Sequence, residues 1–193
     1  MSMLVSMQPA LLIVCGPPGA GKTTIARRLA ADLQLPLFAK DDLKELLFDT
    51  LGWSDREWSR RLGIASIRLL YRLAEIELAA GRSFILESNF RPDYDDAPFQ
   101  ALQRRYPFRP IQLHCTAETE TLVRRITARA ASPDRHPGHV EQTWLDDFAA
   151  ALRAGGFGPL ALDGPIHTLD TTDFAAIDYP ALLSAFRASL ASR

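Results

Sequence analysis

The run Gly-Pro-Pro-Gly-Ala-Gly-Lys-Thr-Thr at positions 16–24 constrains this chain more than any other feature. Its spacing, Gly16-x-x-x-x-Gly21-Lys22-Thr23, is the Walker A pattern. The flanks agree with it. Leu11–Cys15 is a short apolar run of the kind a buried parallel strand requires, and Ile25, Leu29 and Leu33 recur at helical spacing. A triphosphate needs many donors aimed inward without side-chain bulk. Gly16, Gly19 and Gly21 let the backbone curl close to it, and the start of the following helix turns free N–H groups and a positive dipole end toward the same anion. Lys22 reaches the β- and γ-phosphates as a point charge, and the Thr23 hydroxyl faces Mg²⁺. Gly16, Pro17, Pro18, Gly19, Ala20, Gly21, Lys22, Thr23 and Thr24 are therefore expected to bind a nucleotide.

The chain has 193 residues, within the range of one domain, and 47% of them are apolar, enough for a sizeable core. A net charge of −1 argues against a general binder of nucleic acid or membrane surfaces, while leaving room for a local basic cleft. Cys15 and Cys115 fall at predicted strand ends, so buried, reduced thiols are expected rather than a disulfide. The first ten residues lack a basic start and a long apolar run. No apolar stretch approaches the ~20 residues of a membrane span. These features predict a soluble cytoplasmic enzyme.

Strand and helix patterns alternate, which predicts a parallel sheet covered on both faces. The strands are expected at 11–15, 36–39, 83–87, 110–115 and 166–170. The helices are expected at about 22–34, from residue 40, at 55–80, around Phe99 and Leu102, at 118–130, at 140–152 and from Pro180. Leu43, Leu46 and Leu47 should face inward on the second helix, and Trp58, Leu62, Ala65, Leu69, Leu73 and Ile76 on the third. No linker or composition shift divides the chain, so residues 1–193 read as one domain.

Lys40-Asp41-Asp42 closes the second strand, at the carboxyl end where open parallel sheets hold ligands. A carboxylate there can accept a proton from an attacking hydroxyl, and an aspartate there can equally cap the next helix. Both roles fit if Asp41 is the base and Asp42 lies nearer the cap. Glu87 ends the third strand, where it would meet Mg²⁺ or orient an acceptor, with Asn89 and Arg91 aimed into the same crevice; an ordinary polar turn is the bland reading. Arg125 and Arg129 are one helical turn apart and Arg135 lies in the loop beyond. Arginines of this kind clamp a transferring phosphoryl group, although helix faces also carry solvated arginines. His136 and His139 stand in the same loop, either facing a ligand or as surface residues. No His/Cys spacing matches a zinc site.

On GPPGAGKTT, AKDDLKELLFDTLG at 39–52, ILESNF at 85–90 and RRITARAASPDRHPGH at 124–139, the chain resembles the P-loop kinases of the AAA_33 predicted-kinase type. That group includes polynucleotide kinase domains, with chloramphenicol phosphotransferase and zeta-toxin kinases as relatives. The resemblance implies a P-loop NTPase three-layer α/β/α sandwich with a parallel five-stranded sheet of order 2-3-1-4-5. It also implies a helical lid at about 124–140 bearing Arg125 and Arg129, Asp41 as general base, and a turn at Asp170-Thr171-Thr172 near the adenine. Glu87 stands where polynucleotide kinases carry a Walker B aspartate.

The leading expectation is an ATP- and Mg²⁺-dependent phosphotransferase acting on a hydroxyl of a small molecule. Nucleoside, sugar and aminoglycoside-like acceptors all fit, with Trp53, Trp58, Arg61 and Arg91 expected to line their pocket. A 5′-hydroxyl polynucleotide kinase is the second expectation, and a nucleotide-gated switch without an acceptor the third. No Asn-Lys-x-Asp guanine-reading motif is present, which favours ATP over GTP.

Overall fold

The computed structural model describes residues 8–153 and 155–191. Residues 1–7, which carry most of the N-terminal reading, lie outside the described ones. Five parallel strands form one sheet: β1 (Ala10–Cys15), β2 (Leu37–Ala39), β3 (Phe84–Glu87), β4 (Arg109–Thr116) and β5 (Ile166–Asp170), in the order β2-β3-β1-β4-β5. The register aligns Val14 and Ala39 with Glu87, Cys15 with His114, and Thr116 with Asp170. All five strands therefore end along one edge, and the loops leaving that edge carry the candidate site residues.

Successive residues of a strand point to opposite faces, and the central β1 shows what this does. Ala10, Leu12 and Val14 join a core with Ile25, Leu29, Leu122, Ile126, Phe148 and Phe186, from helices α1 (Lys22–Leu33), α5 (Thr119–Ala130), α6 (Leu145–Arg153) and α7 (Tyr179–Ala191). Leu11, Ile13 and Cys15 join a second core with Leu70, Ala74, Leu78, Phe99 and Leu102, from α3 (Arg56–Ala79) and α4 (Pro92–Arg105). The remaining helix, α2 (Lys40–Leu51), packs on α3. The result is the three-layer P-loop NTPase sandwich with helices on both faces. Among the described residues, no helix is long and apolar enough to cross a membrane.

Some local expectations are corrected. On α3 the buried stripe is Ser59, Leu62, Ser66, Leu70, Ala74 and Leu78, while Leu69 and Ile76 are exposed. The helix carries two apolar stripes. Ser66 enters the core because its hydroxyl is spent on the carbonyls of Leu62 and Gly63, both at 2.9 Å. On α2, Leu46 is exposed and the buried residues are Lys44 and Phe48. The first residue of that helix follows an extended Ala39 with no side-chain cap, so Asp42 does not cap it; Asp42 instead pairs with Arg27 at 2.9 Å on the surface. The helix expected from residue 140 begins at Leu145. Val140 adopts a left-handed conformation (φ 44°) between two 3₁₀ turns, Pro137–His139 and Glu141–Thr143. Cys15 and Cys115 are both free and buried, and burial pushes each thiol up to about 12, far from thiolate chemistry.

Candidate active site

The loop between β1 and α1 curls over the edge of the sheet. Lys22 is 8% exposed and its ammonium donates to the Pro17 carbonyl at 2.9 Å, folded along the loop. Burial lowers its pKa, opposed by the charges of Glu87 and Asp41. Thr23 donates its hydroxyl to Glu87 Oε2 at 2.9 Å. Glu87 is itself buried, and that burial raises its pKa against the pull of Lys22. Two oxygens, one hydroxyl and one carboxylate, thus meet at the foot of the phosphate loop.

Asp41 occupies the first turn of α2 and accepts from Arg135 Nη2 at 3.0 Å and from Lys40 Nζ at 3.4 Å. Burial alone would raise its pKa, but Lys40, Arg135 and His139 hold the carboxyl well below the usual range. Arg135 is a hub. Besides Asp41 it reaches Glu45 at 3.0 Å and the buried Glu141 at 2.8 Å, and Glu141 in turn accepts from Arg129 Nε at 3.0 Å. His139 completes the ring through Glu45 at 2.8 Å. The residues after α5 are thereby pinned to α2 by charge-assisted hydrogen bonds, the stronger kind.

These groups surround a cavity of about 450 Å³. Pro18, Lys22, Thr23, Asp41, Glu87, Asn89, Arg91, Arg129 and Arg135 line it, so half of the expected site residues come together here. Cations outnumber carboxylates on its wall: Lys22, Lys40, Lys44, Arg56, Arg60, Arg91, Arg129 and Arg135 against Asp41, Glu87, Glu141 and Asp147. Phe148 and Ala151 of α6 and Trp144 just before it cover the cavity, and Arg56 clamps that cover by pairing with Asp147 and donating to the Thr143 carbonyl.

Arg125 lies elsewhere. Its guanidinium donates to the carbonyls of Gly19, Thr171 and Thr172 and sits 5.0 Å from the Phe174 ring. It does not line the cavity, so Arg125 and Arg129 serve different sides of the phosphate loop although one turn separates them. Arg125 and Thr171 do come together, beside the exposed Phe174. His136 also stays out of the cavity. It stacks on Phe48 with centroids 4.9 Å apart, and its Nδ1 accepts from Gly138 N at 3.0 Å, a structural task. Trp53, Trp58 and Arg61 do not line the cavity either; its aromatic wall is Trp144, Phe148 and Phe157. Residues that motif reading missed include Lys44, Ser59, Arg60 and Glu141. Lys44 carried a readable signal, since it is three positions beyond Asp41 on the same helix.

His139 yields a testable consequence. Burial, with Arg135, Lys44 and Lys40, lowers its pKa from 6.5 to about 3, with Asp41 opposing. Between those values the unfolded chain takes up a proton that the folded chain refuses, so stability falls as pH drops through this window. The slope is about 1.4 kcal/mol per pH unit at most. Thermal unfolding from pH 7 to pH 4.5 should show a steeper decline for the wild type than for His139→Gln; parallel curves would refute the assignment.

Residues 11–154 match the AAA_33 family, described as an AAA domain. A shikimate kinase from Chromohalobacter salexigens is 31% identical over 149 residues, covering 72% of this chain and 73% of that protein. Among solved structures, a candidate kinase from Chloroflexus aurantiacus J-10-fl is 46% identical with a TM-score of 0.88, covering 95% of this chain and all of that one. Kti12 from Chaetomium thermophilum, solved with ADP-AlF3, shares the fold at 19% identity and a TM-score of 0.66, covering 94% and 100% of the two chains. With a Walker A loop on β1, the strand order 2-3-1-4-5 and a match across three quarters of its length, the chain belongs to the AAA_33 family and is a P-loop kinase of the predicted-kinase type.

Proposed function

We propose that this kinase moves the γ-phosphate of ATP, in the presence of Mg²⁺, to a hydroxyl of a small molecule. One observation carries the reading: Asp41 and the phosphate-loop residues Lys22 and Thr23 open into the same covered cavity of about 450 Å³, within the range of small-molecule sites. The similarity to a shikimate kinase supports an alcohol on a small molecule as acceptor. The cover formed by α6 favours such a molecule over an oligonucleotide.

Lys22 and the amides at the start of α1 hold the phosphates. Arg129 offsets charge on the transferring group, and Arg135 holds the Asp41 carboxylate in place. Thr23 and Glu87 fit Mg²⁺, a hard cation that binds oxygen and keeps much of its shell for phosphate and water. Held there, Mg²⁺ would neutralise phosphate charge. Asp41 orients the acceptor hydroxyl and takes its proton as the new O–P bond forms and the bond to the β-phosphate oxygen breaks, leaving ADP. A weakly basic carboxylate suffices, because in a loose transition state the proton moves late. Asn89 and Arg91 contact the acceptor. Arg125, Thr171 and Phe174 flank the adenine.

The test is transfer of labelled γ-phosphate from Mg·ATP to pools of nucleosides, sugars, hydroxy acids, aminoglycosides and 5′-hydroxyl oligonucleotides. Label should appear in a small-molecule pool. Label confined to oligonucleotides, or released only as free phosphate, would refute the reading.

A further inference from the structure

We infer that the acceptor carries an anionic group, a carboxylate or a phosphate, close to the hydroxyl that is phosphorylated, and that Lys44 receives this group. The inference rests on the kinase reading and adds the chemical class of its substrate.

Lys44 is 8% exposed and lines the cavity one turn beyond Asp41 on α2. An ammonium has three donors, and here one goes to Ser59 Oγ at 2.9 Å. The ring of Phe48 lies 5.1 Å away. Among the described residues no carboxylate pairs with it, although Arg129, Arg135 and Arg56 around the same cavity each have one. Burying a charge without a counter-ion is costly, and an alkyl side chain would fill the space between α2 and α3 without that cost. The cost shows in a pKa lowered to about 8 by burial and by Lys40 and Arg135, against the opposing pull of Asp41 and Glu141. A ligand anion would supply the missing partner.

Lys22, not Lys44, is placed for ATP. Its ammonium is folded onto the Pro17 carbonyl of the phosphate loop at 2.9 Å, whereas that of Lys44 is held by Ser59 on α3 at 2.9 Å. With Asp41 on the first turn of α2, this separates a phosphate end served by Lys22 from an acceptor end served by Lys44. The same cavity has a second open donor: Arg91 Nε is buried without a hydrogen-bond partner, while Nη2 of that guanidinium reaches the exposed Asp93 at 3.4 Å. Asp41 and Lys44 are three positions apart on α2 and line one cavity, so one small molecule can offer a hydroxyl to the first and an anion to the second. A short hydroxy acid or a small phosphorylated polyol meets this geometry. An aminoglycoside, rich in ammonium groups, is repelled by the cationic wall.

The test uses matched acceptors: glucose and glycerol as neutral members, gluconate and glycerate as carboxylates, glucose 6-phosphate and glycerol phosphate as phosphates, and glucosamine as a cation. Each is read by label transfer from Mg·ATP and by thermal shift with Mg·ADP saturating the phosphate loop. Label should enter one acidic arm, which also tells carboxylate from phosphate. Lys44→Met should raise the KM for that acceptor by about 10–100-fold, the scale of a lost charged hydrogen bond, and Lys44→Arg should largely restore it. Equal labelling of neutral or cationic members, or an unchanged KM in Lys44→Met, overturns the inference. A thermal shift from the acidic arm that is lost in Lys44→Met, with label in no acceptor, leaves the anion site standing and removes the kinase reading. Neither label nor shift from any acidic member overturns the inference.

Discussion

Asp41→Asn is expected to lower kcat by about 10²–10⁴-fold, the usual contribution of a positioned general base. The substitution is isosteric and removes the one property that the proposed mechanism requires, a carboxylate oxygen able to take the hydroxyl proton. It should leave the fold intact, because Arg135 retains Glu45 at 3.0 Å and Glu141 at 2.8 Å after Asp41 is neutralised. The KM for ATP should move by less than about threefold, since uniform nucleotide binding is untouched. Because Lys40 and Arg135 keep Asp41 ionised far into acid, its protonation does not limit turnover near neutral pH. Steady-state kinetics with the true acceptor, together with a melting curve of the variant, checks this. A kcat within about twofold of wild type would remove Asp41 from the chemistry.

The phosphate loop was legible in the sequence because the geometry of a triphosphate dictates glycine, lysine and threonine at fixed spacing. Asp41 and Glu87 were legible for a related reason, since a polar residue closing a buried strand must emerge at the ligand edge of the sheet. The acceptor end was not. Its aromatic wall, Trp144, Phe148 and Phe157, comes from α6 and the residues on either side of it, some ninety residues beyond the α2–α3 region where Trp53 and Trp58 suggested a pocket. Lys44 shares the helix face of Asp41 by spacing, but whether it turns inward or to solvent is decided by Ser59, fifteen positions away. Ser66 misleads in the same way: a locally satisfied hydroxyl places a polar residue in the core stripe of α3 and shifts the apparent apolar face by one position. Periodicity reports which residues share a face, and the packing partner decides which face is buried.

Two alanine substitutions in the phosphate loop should separate fold from function. Gly16 has φ 129°, and a Cβ there would lie 2.1 Å from the Cys115 carbonyl oxygen. That oxygen belongs to the backbone of β4, hydrogen-bonded beside β1 in the middle of the sheet, and cannot yield unless the two strands part. Gly16→Ala should therefore cost about 3 kcal/mol or more, a fall of about 6–12 °C in Tm for a chain of this length. Gly21 has φ 66°, and a Cβ there would lie 2.0 Å from Phe174 Cζ. Here the obstacle is the tip of a side chain that is 38% exposed and can swing outward. The fold should lose only the left-handed backbone penalty of about 1–2 kcal/mol. Nucleotide use should suffer far more. Gly21 belongs to the phosphate loop, and displacing Phe174 removes the ring that Arg125 faces at 5.0 Å. A nucleotide displaced by about 1 Å is expected to lose about 10²-fold in kcat/KM for ATP. Melting curves and ATP kinetics on the two variants check the contrast. Equal destabilisation of both would mean that Phe174 is as fixed as the strand, and that the loop is braced from the nucleotide side as firmly as from the sheet.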